Sequence, residues 1–234
     1  MTSRQPVVAL AGNPNTGKST IFNTLTGLKQ HTGNWPGKTV QKSWGAYRHR
    51  GRTVTVVDLP GTYSLLANSP EEQVARDFLC FAAPDVTVVV ADATCLERNL
   101  NLVLQVGEIT PRVVLCLNLM DEARRRGIRI DTGRLAAELG LPVVPTAARR
   151  GEGLYHLKDT IDNLLTGTVR PTPPPLTYDA ELEAAVASLA AELAALLDGR
   201  FNPRWVALRL LEGDETVMQY LATRGHGYRK PLSA

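Results

Sequence analysis

A chain of 234 residues with 44% hydrophobic and 21% charged positions holds enough apolar material for a sizeable core, arranged as one main domain and a smaller one. Lys and Arg number 26 against 23 Asp and Glu, and the resulting +3 is too small to argue for a nucleic-acid partner. Cys80, Cys95 and Cys116 are far apart in apolar surroundings and read as buried reduced thiols; the histidines show no metal-ligand spacing, and no signal peptide or bilayer-length apolar run is expected.

In chain order, the β-branched run at 7–11 reads as a strand and leads into Gly12-Asn13-Pro14-Asn15-Thr16-Gly17-Lys18-Ser19, which fits G-x-x-x-x-G-K-[ST]. Glycines at that spacing let the backbone fold tightly around an anion. Amide N–H groups, and the N-terminus of the helical stretch that begins at Thr20, then point at phosphates. Lys18 is placed to reach β- and γ-phosphates and Ser19 a Mg²⁺ ion, so the chain is expected to hold a nucleoside triphosphate. Residues 30–39 are rich in Gly, Pro and polar side chains with Trp35 in the middle; without apolar periodicity they read as a mobile loop. Residues 41–50 and 53–57, joined by His49-Arg50-Gly51-Arg52, read as a hairpin at a sheet edge.

Asp58-Leu59-Pro60-Gly61 follows at once. An Asp at a strand end can hold the Mg²⁺ shell, and a Gly there can set its N–H against a γ-phosphate. Further β-branched runs at 86–91, 113–117 and 143–145, with helical stretches between most of them, complete a mostly parallel α/β sheet. Asn118-Leu119-Met120-Asp121 ends one of these strands, where nucleotides sit in open α/β sheets, and the Asp121 carboxylate suits the N1–H and N2–H₂ donors of guanine. Thr146-Ala147-Ala148, ending the last strand, offers a backbone N–H to guanine O6. Pro171, Pro173, Pro174 and Pro175 favour an extended spacer, and 178–197 and 204–224 have helical spacing with starts at Asp179 and Asp214. The expected division is a nucleotide-binding domain at 1–168, a Pro-rich linker at 169–177, a small all-helical domain at 178–226 and a flexible tail at 227–234. The basic residues of 224–230 suit either an anionic membrane face or plain solvent.

These four loops, in this order and spacing, are similar to the sequential motifs of Ras-like P-loop GTPases. More narrowly, residues 12–18, Gly33-Asn34-Trp35-Pro36-Gly37-Lys38-Thr39-Val40, 58–65 and 204–214 resemble the cytosolic amino-terminal region of the FeoB ferrous-iron transport family, over nearly the whole chain. The resemblance implies a Mg²⁺-dependent enzyme that converts GTP to GDP and phosphate at the cytoplasmic face of the bacterial inner membrane. Its helical domain would restrain GDP release. Its partners would be the membrane-embedded transporter domain of the same intact polypeptide and a small accessory protein, with no nucleic acid.

The resemblance also implies which residues do this. Nucleotide contacts would come from Gly12 through Thr20, from Gly37, Lys38 and Thr39, from 58–61 and 118–121, and from 146–148. Ser19, Thr39 and Asp58 would hold Mg²⁺, and catalysis would rest on Asn15, Lys18, Thr39 and Gly61. Asn15 resembles the Asn by which a subset of GTPases holds K⁺ beside the phosphates, with the carbonyls of Gly33 and Trp35 completing that site; Asn15 as a turn former and Trp35 as a packing residue are the plainer readings. Leu119 stands where most such proteins carry Lys, and would cover the base with an apolar side chain. Thr62 replaces the Gln that orients the attacking water, which implies slow hydrolysis. A second switch covers 59–72, whose Glu71-Glu72 pair either has a functional role or simply charges a helix start after Pro70. An RNA-binding assembly GTPase shares the Asn-bearing loop, but the Ala-, Leu- and Glu-rich region after Pro175 offers no basic RNA-binding module.

Overall fold

The computed structural model describes residues 4–36, 38–66, 69–197 and 201–222. β1 (Val7–Gly12) runs through the phosphate loop into α1 (Lys18–Thr26), and β2 (Gln30–Asn34), β3 (Gln41–His49) and β4 (Arg52–Asp58) follow as a meander. Then come α2 (Pro70–Asp77), β5 (Val86–Asp92), α3 (Leu96–Ile109), β6 (Val113–Asn118), α4 (Met120–Arg125), α5 (Thr132–Leu139), β7 (Val143–Pro145) and α6 (Leu154–Leu165). Three helices end the described chain: α7 (Ala180–Leu196), α8 (Pro203–Leu211) and α9 (Glu215–Ala222).

All seven strands join one sheet in the order β2-β3-β4-β1-β5-β6-β7, antiparallel at β2–β3 and β3–β4 and parallel elsewhere. The parallel centre explains the unbroken apolar runs, because helices cover both faces and nearly every position of β1, β5 and β6 is buried. Val8, Leu10, Val88 and Val90 pack with Ile21, Phe22, Leu157 and Ile161 of α1 and α6 on one face. Ala9, Ala11, Val89 and Ala91 pack with Val74, Leu102 and Val106 of α2 and α3 on the other. Loops at the carboxyl ends of β1, β4, β6 and β7 are thereby fixed side by side.

Residues 30–39 depart from the expected loop. Their first half is β2, a polar edge strand with His31 stacked on Trp44 of β3 at 5.6 Å. Cys95 is exposed, against the expectation of three buried thiols; Cys80 and Cys116 are buried, and all three are free. The expected helical segment at 204–224 is broken at Gly213, and Asp214 restarts it by accepting hydrogen bonds from the N–H groups of Thr216 and Val217 at 3.0 and 3.2 Å. Asp179 likewise starts α7, accepting from Leu182 N–H at 2.8 Å. Removing that cap with Asp179→Ala should lower stability by about 1 kcal/mol, read as an earlier midpoint in urea unfolding followed by helical circular dichroism.

The Pro-rich segment is extended, as expected, but pinned. Thr172 N–H donates to Gly140 O at 3.0 Å, and a Cβ on Gly140 would lie 2.2 Å from Thr172 O. The helical part also grips the sheet domain through the residues after α2, where the chain widens into a π turn at Phe78–Ala82. Cys80 of that turn is buried among Val186, Leu193, Trp205 and Leu208, and Phe81 meets Phe201 edge-on at 6.0 Å. Arg76, almost wholly buried, bridges Asp77 at 3.0 Å and Asp214 at 2.7 Å, so the side chain that caps α9 is held by α2. Among the described residues no helix is long and apolar enough to cross a membrane. Residues 223–234, with the basic stretch and the expected tail, lie outside the described residues, as does Gly37.

Candidate functional site

The phosphate loop is shaped by two left-handed residues, Asn15 at φ 66° and Gly17 at φ 82°. Asn tolerates that region and Gly is free in it. A side chain at Gly17 would also clash, because its Cβ would fall 2.4 Å from Nδ2 of Asn118. Gly17 caps α1, so the N-terminus of that helix opens onto the loop. Lys18 is largely buried, and its ammonium donates to Oδ1 of Asp58 at the end of β4. Burial pushes the Asp58 carboxyl above its ordinary value, and the Lys18 ammonium opposes the rise. Ser19, Asn15 and Pro14 are exposed at the mouth, Thr20 is half-buried, and Asn13 and Thr16 are buried at the root, Thr16 Oγ1 donating to Asn13 O at 3.0 Å.

The Asp58–Gly61 turn is stitched to this loop. Leu59 N–H donates to Leu10 O at 2.9 Å and Thr62 N–H to Gly12 O at 3.2 Å, while a Cβ on Gly61 would meet Pro14 Cα at 3.4 Å. Pro60 lies half-buried between them. Thr62 is buried with its hydroxyl turned onto Ser64 O at 2.6 Å, so it presents no group of the kind the missing Gln would supply. Of the acidic pair, Glu72 gives its N–H to Ser69 Oγ, the cap of α2, and its carboxylate accepts from Ser64 Oγ at 2.9 Å. Both glutamates sit in the first turn of α2, where negative charge is favourable.

Asn118 is the brace of the site. Its amide donates to Thr16 O at 2.9 Å, and its carbonyl oxygen accepts from Ala148 N–H and Thr146 Oγ1, both at 3.1 Å. One side chain thus ties the phosphate loop to the turn after β7, and it is wholly buried. Met120 N–H adds a bond to Thr146 O at 3.1 Å. Leu119 holds φ 62° at the head of α4, a region a branched apolar side chain rarely occupies, and such local strain clusters at functional sites. The N–H groups of Thr146, Ala147 and Ala148 already donate to Leu117 O, Glu152 O and Asn118 Oδ1, so a base oxygen would have to share or displace one of them.

The 30–40 segment does not join this cluster. Trp35 N–H donates to Val40 O at 2.9 Å, and Lys38 N–H donates to the Trp35 carbonyl at 3.0 Å, closing a turn with Thr39 exposed at its tip. Trp35 is buried in the core, edge-on to Phe78 at 5.3 Å, with the Lys42 ammonium 5.3 Å above it. Its packing role is therefore directly visible. Gly33 faces Lys42 within β2, three strands from β1, or about 14 Å at ordinary strand spacing. Lys38 reaches Gln73 of α2 at 2.7 Å. Sequence reading also missed Arg150, whose guanidinium Nε lies 3.3 Å from Asp121 Oδ2. Its only signal was a cationic residue just past the loop expected to read the base.

The model of the family described as ferrous iron transport protein B matches residues 6–161, and that of the FeoB cytosolic helical domain matches residues 178–230. The Fe(2+) transporter FeoB of Salmonella typhimurium is 40% identical over 88% of this chain, and the Porphyromonas gingivalis Fe(2+) transport protein A/FeoB fusion protein is 39% identical over 94% of it. The chain spans only about a quarter of those relatives, 27% and 26% of their lengths. Among solved structures, the cytosolic domain of the T. maritima FeoB iron transporter in a GDP form superposes with a TM-score of 0.83 at 37% identity, covering 96% of this chain and 88% of that one. The cytosolic domain of L. pneumophila FeoB gives 0.83 at 34% identity, over 97% and 91%. With a Ras-like P-loop G domain and a helical domain both matched, in order and across nearly all its length, the chain belongs to the ferrous iron transport protein B (FeoB) family.

Proposed function

We propose that this chain is the GTP-binding and GTP-hydrolysing switch region of a bacterial ferrous-iron membrane transporter, acting at the cytoplasmic face of the inner membrane with Mg²⁺ and stimulated by K⁺. The observation that supports it most is the Asn118 brace, which ties the phosphate loop carrying the Lys18–Asp58 pair to the turn after β7. The residues suit a nucleotide and its metal. Gly17 lets the loop pass against Asn118 where no Cβ fits, Lys18 is a cation suited to phosphate oxygens, and Ser19 and Asp58 carry the oxygen ligands that Mg²⁺ takes.

In this reading Lys18 exchanges Asp58 for phosphate oxygens, Ser19 and Asp58 turn to the metal, Gly61 offers its N–H to the terminal phosphate, and Asp121 reads the base beneath Leu119. Bound Mg²⁺ and K⁺ supply positive charge against that building on the transferring phosphoryl group. Thr39 and the Gly33 and Trp35 carbonyls join only when the 35–40 turn and β2 leave β3, so opening of this hairpin is the switch motion. That motion withdraws Trp35 from Phe78, which heads the π turn seated in the helical part. The change is thereby passed toward a membrane-embedded partner of the same polypeptide. The G domain is taken as 1–168, the linker as 169–177 and the helical domain as 178–226.

Lys18→Ala and Ser19→Ala should damage different things. Loss of a charge-assisted contact worth about 2 kcal/mol weakens GDP and GTP binding by tens of fold at any Mg²⁺ concentration in Lys18→Ala. Ser19→Ala shifts the Mg²⁺ dependence of GTP binding instead. Nucleotide titrations across a Mg²⁺ series check this; superimposable Mg²⁺ profiles for the two variants would contradict the separate roles.

A further inference from the structure

Arg150 reaches back from the turn after β7 and forms an ion pair with Asp121, its guanidinium Nε 3.3 Å from Oδ2. The Asp121 side chain is mostly covered, 19% exposed, while that of Arg150 is 59% exposed. Glu152, 4.0 Å from Arg150 Nη1, is itself paired with Arg124 at 3.1 Å, so its charge is shared with a second arginine. The carboxylate expected to read guanine therefore already has a cationic partner within the protein.

The chemistry of that partner is specific. Guanine presents to a carboxylate a planar N1–C2–N2 fragment with two parallel N–H donors, and a guanidinium presents a planar N–C–N fragment with the same fork. A lysine ammonium would match the charge but not the shape. We infer that Arg150 is an internal mimic of guanine: its guanidinium and the base compete for the Asp121 carboxylate, and Arg150 thereby sets how tightly guanine nucleotides are held and how fast they leave. The inference rests on Asp121 being the base-reading residue. Because the ion pair is partly exposed, its effect is modest, about two- to fivefold in affinity.

The sign of the effect separates this role from others. A residue that only shapes the loop, or that stacks over the base, weakens GDP binding when removed; a competitor strengthens it. Equilibrium binding and dissociation of GDP, with ADP measured alongside, should be compared for the 234-residue chain and its Arg150→Ala and Arg150→Gln variants. Both variants are expected to bind GDP two- to fivefold more tightly and release it correspondingly more slowly, with ADP binding unchanged. In an Asp121→Ala background, Arg150→Ala should change nothing, since the contested carboxylate is gone. Unchanged or weaker GDP binding in the single variants overturns the inference, as does a gain that persists without Asp121. If the parent chain fails to prefer GDP over ADP, the base-reading assignment falls first, and the competition with it.

Discussion

Exchanging Asp121 for asparagine is expected to cost about 10²- to 10³-fold in GDP affinity and to move the preference toward xanthine nucleotides. The carboxylate has two acceptor oxygens for N1–H and N2–H₂, whereas the amide offers one acceptor and one donor. Guanine then meets donor against donor, losing a charge-assisted bond worth about 1.5–3 kcal/mol and leaving a polar group unpaired. Xanthine, with an oxygen at C2, restores the match. The parent should favour GDP over ADP by orders of magnitude, as sites built to hydrogen-bond a particular edge do. Calorimetric titration of both proteins with GDP, XDP and ADP is the check, and an Asp121→Asn protein that binds GDP as before would place base recognition elsewhere. Asn118 serves as the contrast. Its amide is spent on Thr16, Thr146 and Ala148, so Asn118→Ala should weaken every nucleotide without changing their order.

The placement of Asn118 and Asp121 at a strand end was legible in the sequence because they follow a β-branched run that forms β6, buried at every position. The same logic located all five parallel strands, and the caps at Asp179 and Asp214 were readable because short acidic side chains preceded apolar periodicity. What escaped was whatever depends on a partner across space. β2 reads Gln30-His31-Thr32-Gly33-Asn34, with no alternation of apolar side chains, and is a strand only because β3 lies beside it. The π turn at Phe78–Ala82 adds no composition of its own; it shows only as Cys80 and Phe81 turning out of the sheet domain into the helical part. Arg76 and Arg150 look like plain surface charges, yet the first is buried between Asp77 and Asp214 and the second, though exposed, pairs with Asp121. Trp35 was divided between a switch role and plain packing. In this conformation its ring is core, and its carbonyl is bonded to Lys38.

GTP turnover is expected to run about 10²-fold faster in KCl than in NaCl at equal ionic strength, the scale of one preorganised charge-stabilising contact. Thr62, at the position where Ras-like proteins carry Gln, is buried with its hydroxyl on Ser64 O and offers no carboxamide to orient an attacking water. A monovalent cation beside the phosphates would compensate, and a carbonyl-and-amide cage sized for K⁺ fits Na⁺ poorly. Asn15 is the residue on which this turns, and its φ of 66° gives it a second possible reason to be Asn. Alanine would confuse the two, since it lacks the short polar side chain that makes Asn tolerant of the left-handed region, which costs other residues roughly 1 kcal/mol. Asn15→Gly separates them, because glycine keeps the turn and removes only the carboxamide. If Asn15 is an ion ligand, Asn15→Gly turns over GTP at the slow rate in both salts while binding GDP nearly as the parent does. If it only forms the turn, the variant keeps the K⁺ preference. A parent with equal rates in the two salts would end the cation-activated reading and direct attention to Glu71, Glu72 or a protein partner for the missing catalytic group.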